Sequence, residues 1–209
     1  GAELLAKKWN ITRDECDEFG LRSQENAARA WDEDRFATQI VEVDVPVLDD
    51  DGTPTGERLQ VSRDGGIRPT TLDALSQLSP VMDGGVHTAG ASSQISDGSG
   101  AILMMTAEKA EEQGLKPLGR IIDTCLVGSD PVLMLTGPIE ATHHLLERNK
   151  MQMSDIDVVE INEAFASVVL AWAREMNPDM DSVNPNGGAI ALGHPLGGTG
   201  SILMTKALH

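Results

Sequence analysis

The chain has 209 residues, 40% of them apolar, which is enough for a buried core and too apolar for a disordered polymer. Sixteen Lys and Arg stand against 33 Asp and Glu, a formal charge of −17, and this excludes the clustered positive surface that a nucleic acid requires. An anionic small ligand stays compatible, because one arginine or one helix N-terminus binds phosphate inside a negative protein.

Thr12 and Glu15 form a T-x-x-E capping box. Behind it Cys16, Phe19, Ser23, Ala27 and the pair Ala30/Trp31 recur at three- and four-residue steps, which predicts one amphipathic helix over 13–34. Ile40–Leu48 alternates apolar residues with acidic residues or proline, an exposed strand, and Asp49-Asp50-Asp51-Gly52 turns it toward a return at Leu59-Gln60-Val61. The acidic turn echoes a calcium loop, but that register places Val47 and Arg58 at the first and last ligand positions, so a hairpin turn is expected and no metal.

Thr71 caps a short helix carrying Leu72, Leu75 and Leu78. The stretch GGVHTAGASSQISDGSG (84–100) is small, polar or glycine throughout and runs into Ala101–Met105, a buried-strand candidate. That composition suits either a flexible linker or a loop that lets a ligand approach the backbone. From Thr106 the pattern is α/β: helix 107–113 stopping at Gly114, strand Arg120–Val127, helix 138–149 opened by Pro138, strand Val158–Ile161, helix Glu163–Met176, a short strand at Val183, a glycine-rich stretch 187–200, and a last helix to His209.

No apolar run is long enough for a membrane span, and GAELLAKKWN lacks the apolar centre of a signal peptide. Cys16 and Cys125 stand in no C-x-x-C or disulfide-framework spacing, so a reducing, cytoplasmic setting is expected and both read as small buried hydrophobes.

Two places carry chemistry. Asn162 stands where a strand meets a helix, which suits an N-cap and also suits a ligand-binding group at the carboxyl end of a strand. In NGGAIALGHPLGGTG (186–200) six glycines surround His194. Glycine costs backbone entropy on folding, so this density implies close passage of the backbone past another group. There is no G-K-[ST] and no G-x-G-x-x-G, so it is not a phosphate loop. A histidine on such a loop can act as a base near neutrality.

Asn162-Glu163-Ala164-Phe165-Ala166, followed after about twenty residues by GGAIALGHPLGGTG, resembles the thiolase family in order and spacing. HTAGASSQISDGSGA (87–101), ITRDECDEFGLRSQ (11–24) and GSDPVLMLTGPIEA (128–141) extend the resemblance along essentially the whole chain. The resemblance implies acyl transfer between CoA thioesters, by thiolytic cleavage of 3-ketoacyl-CoA or condensation of acetyl-CoA, with CoA and acyl-CoA as substrates and no permanently bound cofactor. It implies that His194 activates a cysteine and that Asn162 positions a water in the oxyanion hole. Arg68 resembles an arginine at the nucleotide end of CoA. Leu75, Ala89, Ser92, Ser93, Met134, Ala164 and Phe165 match positions along the pantetheine and acyl path.

The implied fold is α/β, a layered helix and mixed-sheet arrangement, incomplete here, with part of an inserted loop domain. Residues 1–95 would be the later part of the CoA-binding loop domain, 96–113 the end of the first core domain, and 114–209 most of the second. A complete thiolase is about twice this length, and its two catalytic cysteines match neither Cys16 nor Cys125. The chain is therefore expected to be a fragment without turnover of its own, from a dimer or tetramer that degrades lipid acyl chains. The alternative from another class is a non-catalytic module that binds CoA or acyl-CoA.

Overall fold

The computed structural model describes residues 1–209, opening with α1 (Ala2–Lys8) and α2 (Arg13–Asp32). The capping box forms as the sequence predicts: Thr12 Oγ1 accepts from the Glu15 N–H at 3.2 Å, and the Glu15 carboxylate accepts from the Thr12 N–H at 2.8 Å. Cys16, Phe19, Ser23, Ala27 and Ala30 face inward along α2, the face that the periodicity marks. Strands β1 (Val43–Leu48) and β2 (Pro54–Val61) pair antiparallel, with Val43 opposite Val61. Asp49 Oδ1 accepts from the N–H groups of Asp51 and Thr53, which commits that carboxylate to holding the hairpin turn. Thr71 then caps α3 (Leu72–Ser76).

The second half departs from expectation in its strands. Helices α4 (Ala107–Glu112), α5 (Gly137–Asn149), α6 (Ala166–Met176), α7 (Ala189–Leu192) and α8 (Thr199–Leu208) form. However, Ala101–Met105 and Arg120–Val127 belong to no sheet, and the expected strand at 158–161 is reduced to one parallel bridge between Val159 and Val183. A strand is stable only when a neighbour accepts its hydrogen bonds, and these segments find none. Their side chains are consequently exposed: Leu103 keeps 79% of its surface and Leu126 all of it.

One core joins the two ends of the chain. Leu5, Ile11, Cys16 and Phe19 from the first two helices pack with Ile161, Val169, Trp172, Met176, Val183 and Ile190. Burying each large aliphatic or aromatic side chain contributes about 1.5–3 kcal/mol, so this cluster holds α1 and α2 against α6. Trp172 Nε1 donates to Thr142 Oγ1 at 2.9 Å, which ties α5 to α6 and satisfies the indole.

Candidate active site

Helix α6 begins at Ala166 with Phe165 in the N-cap position, three residues later than expected, so Asn162 is not its cap. The cause is Glu163, only 1% exposed. Its carboxylate accepts from Ser23 Oγ at 2.6 Å, Asn184 Nδ2 at 2.9 Å and the Ile190 N–H at 3.2 Å. A buried carboxylate needs such donors, and turning inward to meet them keeps 162–165 extended. Asn184 adds two bonds that mimic a strand neighbour, accepting from Ile161 N–H and donating to Ile161 O. A side chain at Gly188 would collide with the Glu163 carboxylate, which accounts for that glycine. Neighbouring Gly187 has φ +75°, a region that L side chains disfavour.

His194 follows α7 and Gly193, whose φ of +93° turns the chain. Its Nδ1 lies 2.6 Å from Thr199 Oγ1, and Thr199 Oγ1 donates to Pro195 O at 3.0 Å. Its Nε2 lies 3.3 Å from Asn162 Nδ2. An amide nitrogen only donates, so Nε2 is the acceptor and the proton of the neutral ring sits on Nδ1, facing Thr199. Asn162 Oδ1 is buried and takes no hydrogen bond from the protein. The ring is half-buried, and the amide whose nitrogen meets its Nε2 keeps its oxygen unpartnered.

Several of the other expected residues gather at this pair. Ser92 bridges Phe165, and the Ser93 N–H donates to Ala164 O at 3.0 Å, so 92–93 runs beside 164–165. The Phe165 ring meets the edge of buried His87, which is held between Glu3 and Ser167 at 2.9 and 2.8 Å. Ala89 is exposed on the turn Ala89–Ala91, and Leu75 is buried behind Gly90. Arg68 is exposed, its N–H donating to Gln24 Oε1 at 2.8 Å. Met134 stands 61% exposed in a turn whose hydrogen bonds run to Asp130 and Ser129, and none of its hydrogen bonds reaches the cluster.

Burial pushes the Cys16 thiol up to about 12, with the Asp17 charge adding to it, so Cys16 is the inert core residue expected. Cys125 is half-exposed rather than buried, because its segment has no sheet partner to cover it. Glu160 and Lys206 form a buried ion pair at 2.7 Å, and Lys206 also donates to Gly187 O, fixing α8 to the glycine loop. Burial pushes the Glu160 carboxyl up, and Lys206 draws it part of the way back. An open polar depression of about 390 Å³ adjoins the loop, between 96–100 and 195–198.

The sequence pattern gives Glu163, Thr199 and Gln94 no role, although all three lie inside the thiolase-like motifs. A side chain five residues after a loop histidine is one signal that could have marked Thr199.

Comparison with known proteins identifies the family and the fold. The family model described as thiolase, N-terminal domain, matches residues 1–108, and that described as thiolase, C-terminal domain, matches 115–209. The steroid 3-ketoacyl-CoA thiolase FadA6 of Mycobacterium tuberculosis is 44% identical, with 100% of this chain and 48% of that protein covered. A 3-ketoacyl-CoA thiolase of Bacillus subtilis is 45% identical, with 100% and 54% covered. The crystal structure of Bacillus anthracis acetyl-CoA acetyltransferase superposes with a TM-score of 0.91 at 36% identity, covering 100% of this chain and 52% of that one. Human mitochondrial 3-ketoacyl-CoA thiolase gives 0.88 at 34%, covering 100% and 51%. The α/β fold is therefore that of the solved thiolases, and the chain spans about half the length of the curated relatives it matches.

Proposed function

The chain belongs to the thiolase family, and from that membership we propose that in the complete protein it carries the base and the oxyanion side of an acyl-transfer centre for CoA thioesters. The observation that carries this is the His194–Asn162 pair, with the ring proton accounted for on Nδ1 and Nε2 left as the basic atom. A thiol is mostly protonated at neutral pH, and Nε2 takes its proton so that the thiolate attacks the thioester or keto carbonyl. By its likeness to the family's asparagine, Asn162 positions a water that donates to the developing oxyanion, lowering the barrier where charge appears.

The substrate class is 3-ketoacyl-CoA or acetyl-CoA, as in the names of the relatives. Ser92, Ser93, Ala164 and Phe165, beside the catalytic pair, line the approach of the pantetheine arm, with Arg68 toward the nucleotide. The loop segment that binds CoA lies within 1–95, ahead of core segments 96–113 and 114–209. The protein works in the cytoplasm as a homodimer or homotetramer; within this chain, no helix is long and apolar enough to cross a membrane.

Neither cysteine here serves His194: Cys16 is sealed in the core, and Cys125 lies half-exposed on the 120–127 segment, its one hydrogen bond running to the neighbouring Leu126 O. The 209 residues alone are expected to give no thiolysis. In the complete protein His194→Ala is expected to remove thiolysis and leave CoA binding largely intact, read by turnover and by calorimetry. Loss of both together would make the histidine structural, and unchanged thiolysis would refute its role as base. CoA binding with no turnover in the complete protein would leave the non-catalytic CoA module as the function.

A further inference from the structure

Gln94 grips the His194 loop at two points. Its carbonyl accepts from the His194 N–H at 3.0 Å, and its Nε2 donates to Ile190 O at 3.0 Å and Gly66 O at 2.8 Å, with Ala191 O at 3.4 Å. Ile190 and Ala191 belong to the last turn of α7, where carbonyls run out of intrahelical donors. Gly66 lies two residues before Arg68, so the same amide spans from the histidine loop to the Arg68 segment.

A second glutamine spans the same gap. Gln24, on α2, accepts from the Arg68 N–H at 2.8 Å through Oε1 and donates to Ile190 O at 3.4 Å through Nε2. The segments are packed tightly where they meet: a Cβ on Gly66 would lie 2.6 Å from Ala191 O. Stretches far apart in sequence, at 66–68, 94 and 190–194, thus share one register without a sheet to set it. A primary amide suits this task, because one nitrogen carries two N–H donors and can bridge carbonyls of two different segments.

We propose that Gln94 is a positioning residue that holds His194 in register with the Arg68 segment, with Gln24 as a second tie. Calling His194 the base rests on the acyl-transfer reading; the clamp itself rests on the hydrogen bonds above. Losing the Gln94 donors frees the end of α7, and His194, two residues beyond it, drifts from Asn162.

Amide hydrogen exchange on the complete protein, in the absence of CoA, tests this without turnover. Gln94→Leu keeps the volume and removes both donors. Gln94→Glu keeps the shape but sets carboxylate oxygens against carbonyl oxygens. In both, protection of the His194 amide is expected to fall about tenfold or more, while Val169–Trp172 in α6 keep theirs. The nitrogen-15 signals of the His194 ring are expected to move from the Nδ1–H pattern toward the average of the two tautomers. Gln24→Leu is expected to give a smaller loss at the same amides. A His194 amide within about twofold of wild type, in any Gln94 variant whose α6 protection shows it folded, overturns the proposal. If both Gln94 variants lose α6 protection, Gln24→Leu decides by the same comparison. Failure of the His194→Ala turnover test would leave these exchange results unchanged, so the two ideas fail separately.

Discussion

The Glu163 carboxylate occupies the space that a side chain at residue 188 would need. The carboxylate is held there by Ser23, Asn184 and the Ile190 N–H, so it cannot swing aside without leaving a buried charge short of donors. Gly188→Ala is therefore expected to destabilise the chain by about 2–4 kcal/mol, combining overpacking with weakened bonds to a buried ion. Gly197, with nothing near its missing Cβ, is the control, and Gly197→Ala should stay within about 0.5 kcal/mol. Urea midpoints at constant m decide the matter, and equal midpoints for the two variants would contradict this account.

The Glu160–Lys206 pair makes a prediction in pH. Both side chains are under 5% exposed, and Lys206 partly offsets the rise that burial imposes on the Glu160 carboxyl. Lys206→Met removes that offset, so the folded-state carboxyl titrates still further above its unfolded value of about 4.3. A raised folded value means that the protonated native state is favoured. The variant should therefore trail wild type least near pH 4–5 and progressively more as pH rises through the folded value, by about 3–5 kcal/mol at pH 8. Glu160→Gln in the Lys206→Met background should flatten the trend. A deficit that ignores pH would mean that the lost contact is steric rather than ionic.

The cysteines separate by accessibility and by acidity. Burial pushes the Cys16 thiol up to about 12, so it stays protonated at pH 8, and Cys16 is also fully buried. Iodoacetamide is expected to modify Cys125 readily and Cys16 only after denaturation, giving one modified site by mass and then two. The unfolded thiol titrates near 8.5, so stability from protonated Cys16 is full below that value and falls as pH rises toward 12. Fast modification of Cys16 in the folded chain would show that the α1–α2–α6 core opens.

What the sequence disclosed follows from the range of the interactions. The Thr12 box, the Thr71 cap and the inward face of α2 depend on neighbours three or four residues away, and all three are present as read. The strands at 101–105 and 120–127 carry strand-like residues, but pairing is non-local, and no partner within the chain accepts their hydrogen bonds. Asn162 reads as a helix cap until Ser23, Asn184 and Ile190 are known to draw Glu163 inward and delay the helix to Ala166. His194 and Asn162 stand out in sequence through glycine density and motif. Gln94 does not, since its part depends on which distant segments meet around it.

Thr199 gives the sharpest test of the base itself. Its hydroxyl donates to Pro195 O, which leaves its lone pair for the Nδ1–H of His194 at 2.6 Å. Thr199→Val keeps the shape and removes that acceptor, so the ring loses its reason to carry the proton on Nδ1 and Nε2 becomes protonated in part of the population. A protonated Nε2 cannot accept a proton from a thiol and turns a donor toward the donor on Asn162. In the complete protein kcat is expected to fall about tenfold, the effect of about 1.4 kcal/mol on the barrier, with KM for CoA little changed. Thr199→Ser restores the acceptor and should recover most of the rate. Nitrogen-15 shifts of the His194 ring should follow the same order: wild type and Thr199→Ser on the Nδ1–H form, Thr199→Val displaced. If Thr199→Val keeps both the wild-type rate and the wild-type ring shifts, the proton is held on Nδ1 by something other than Thr199.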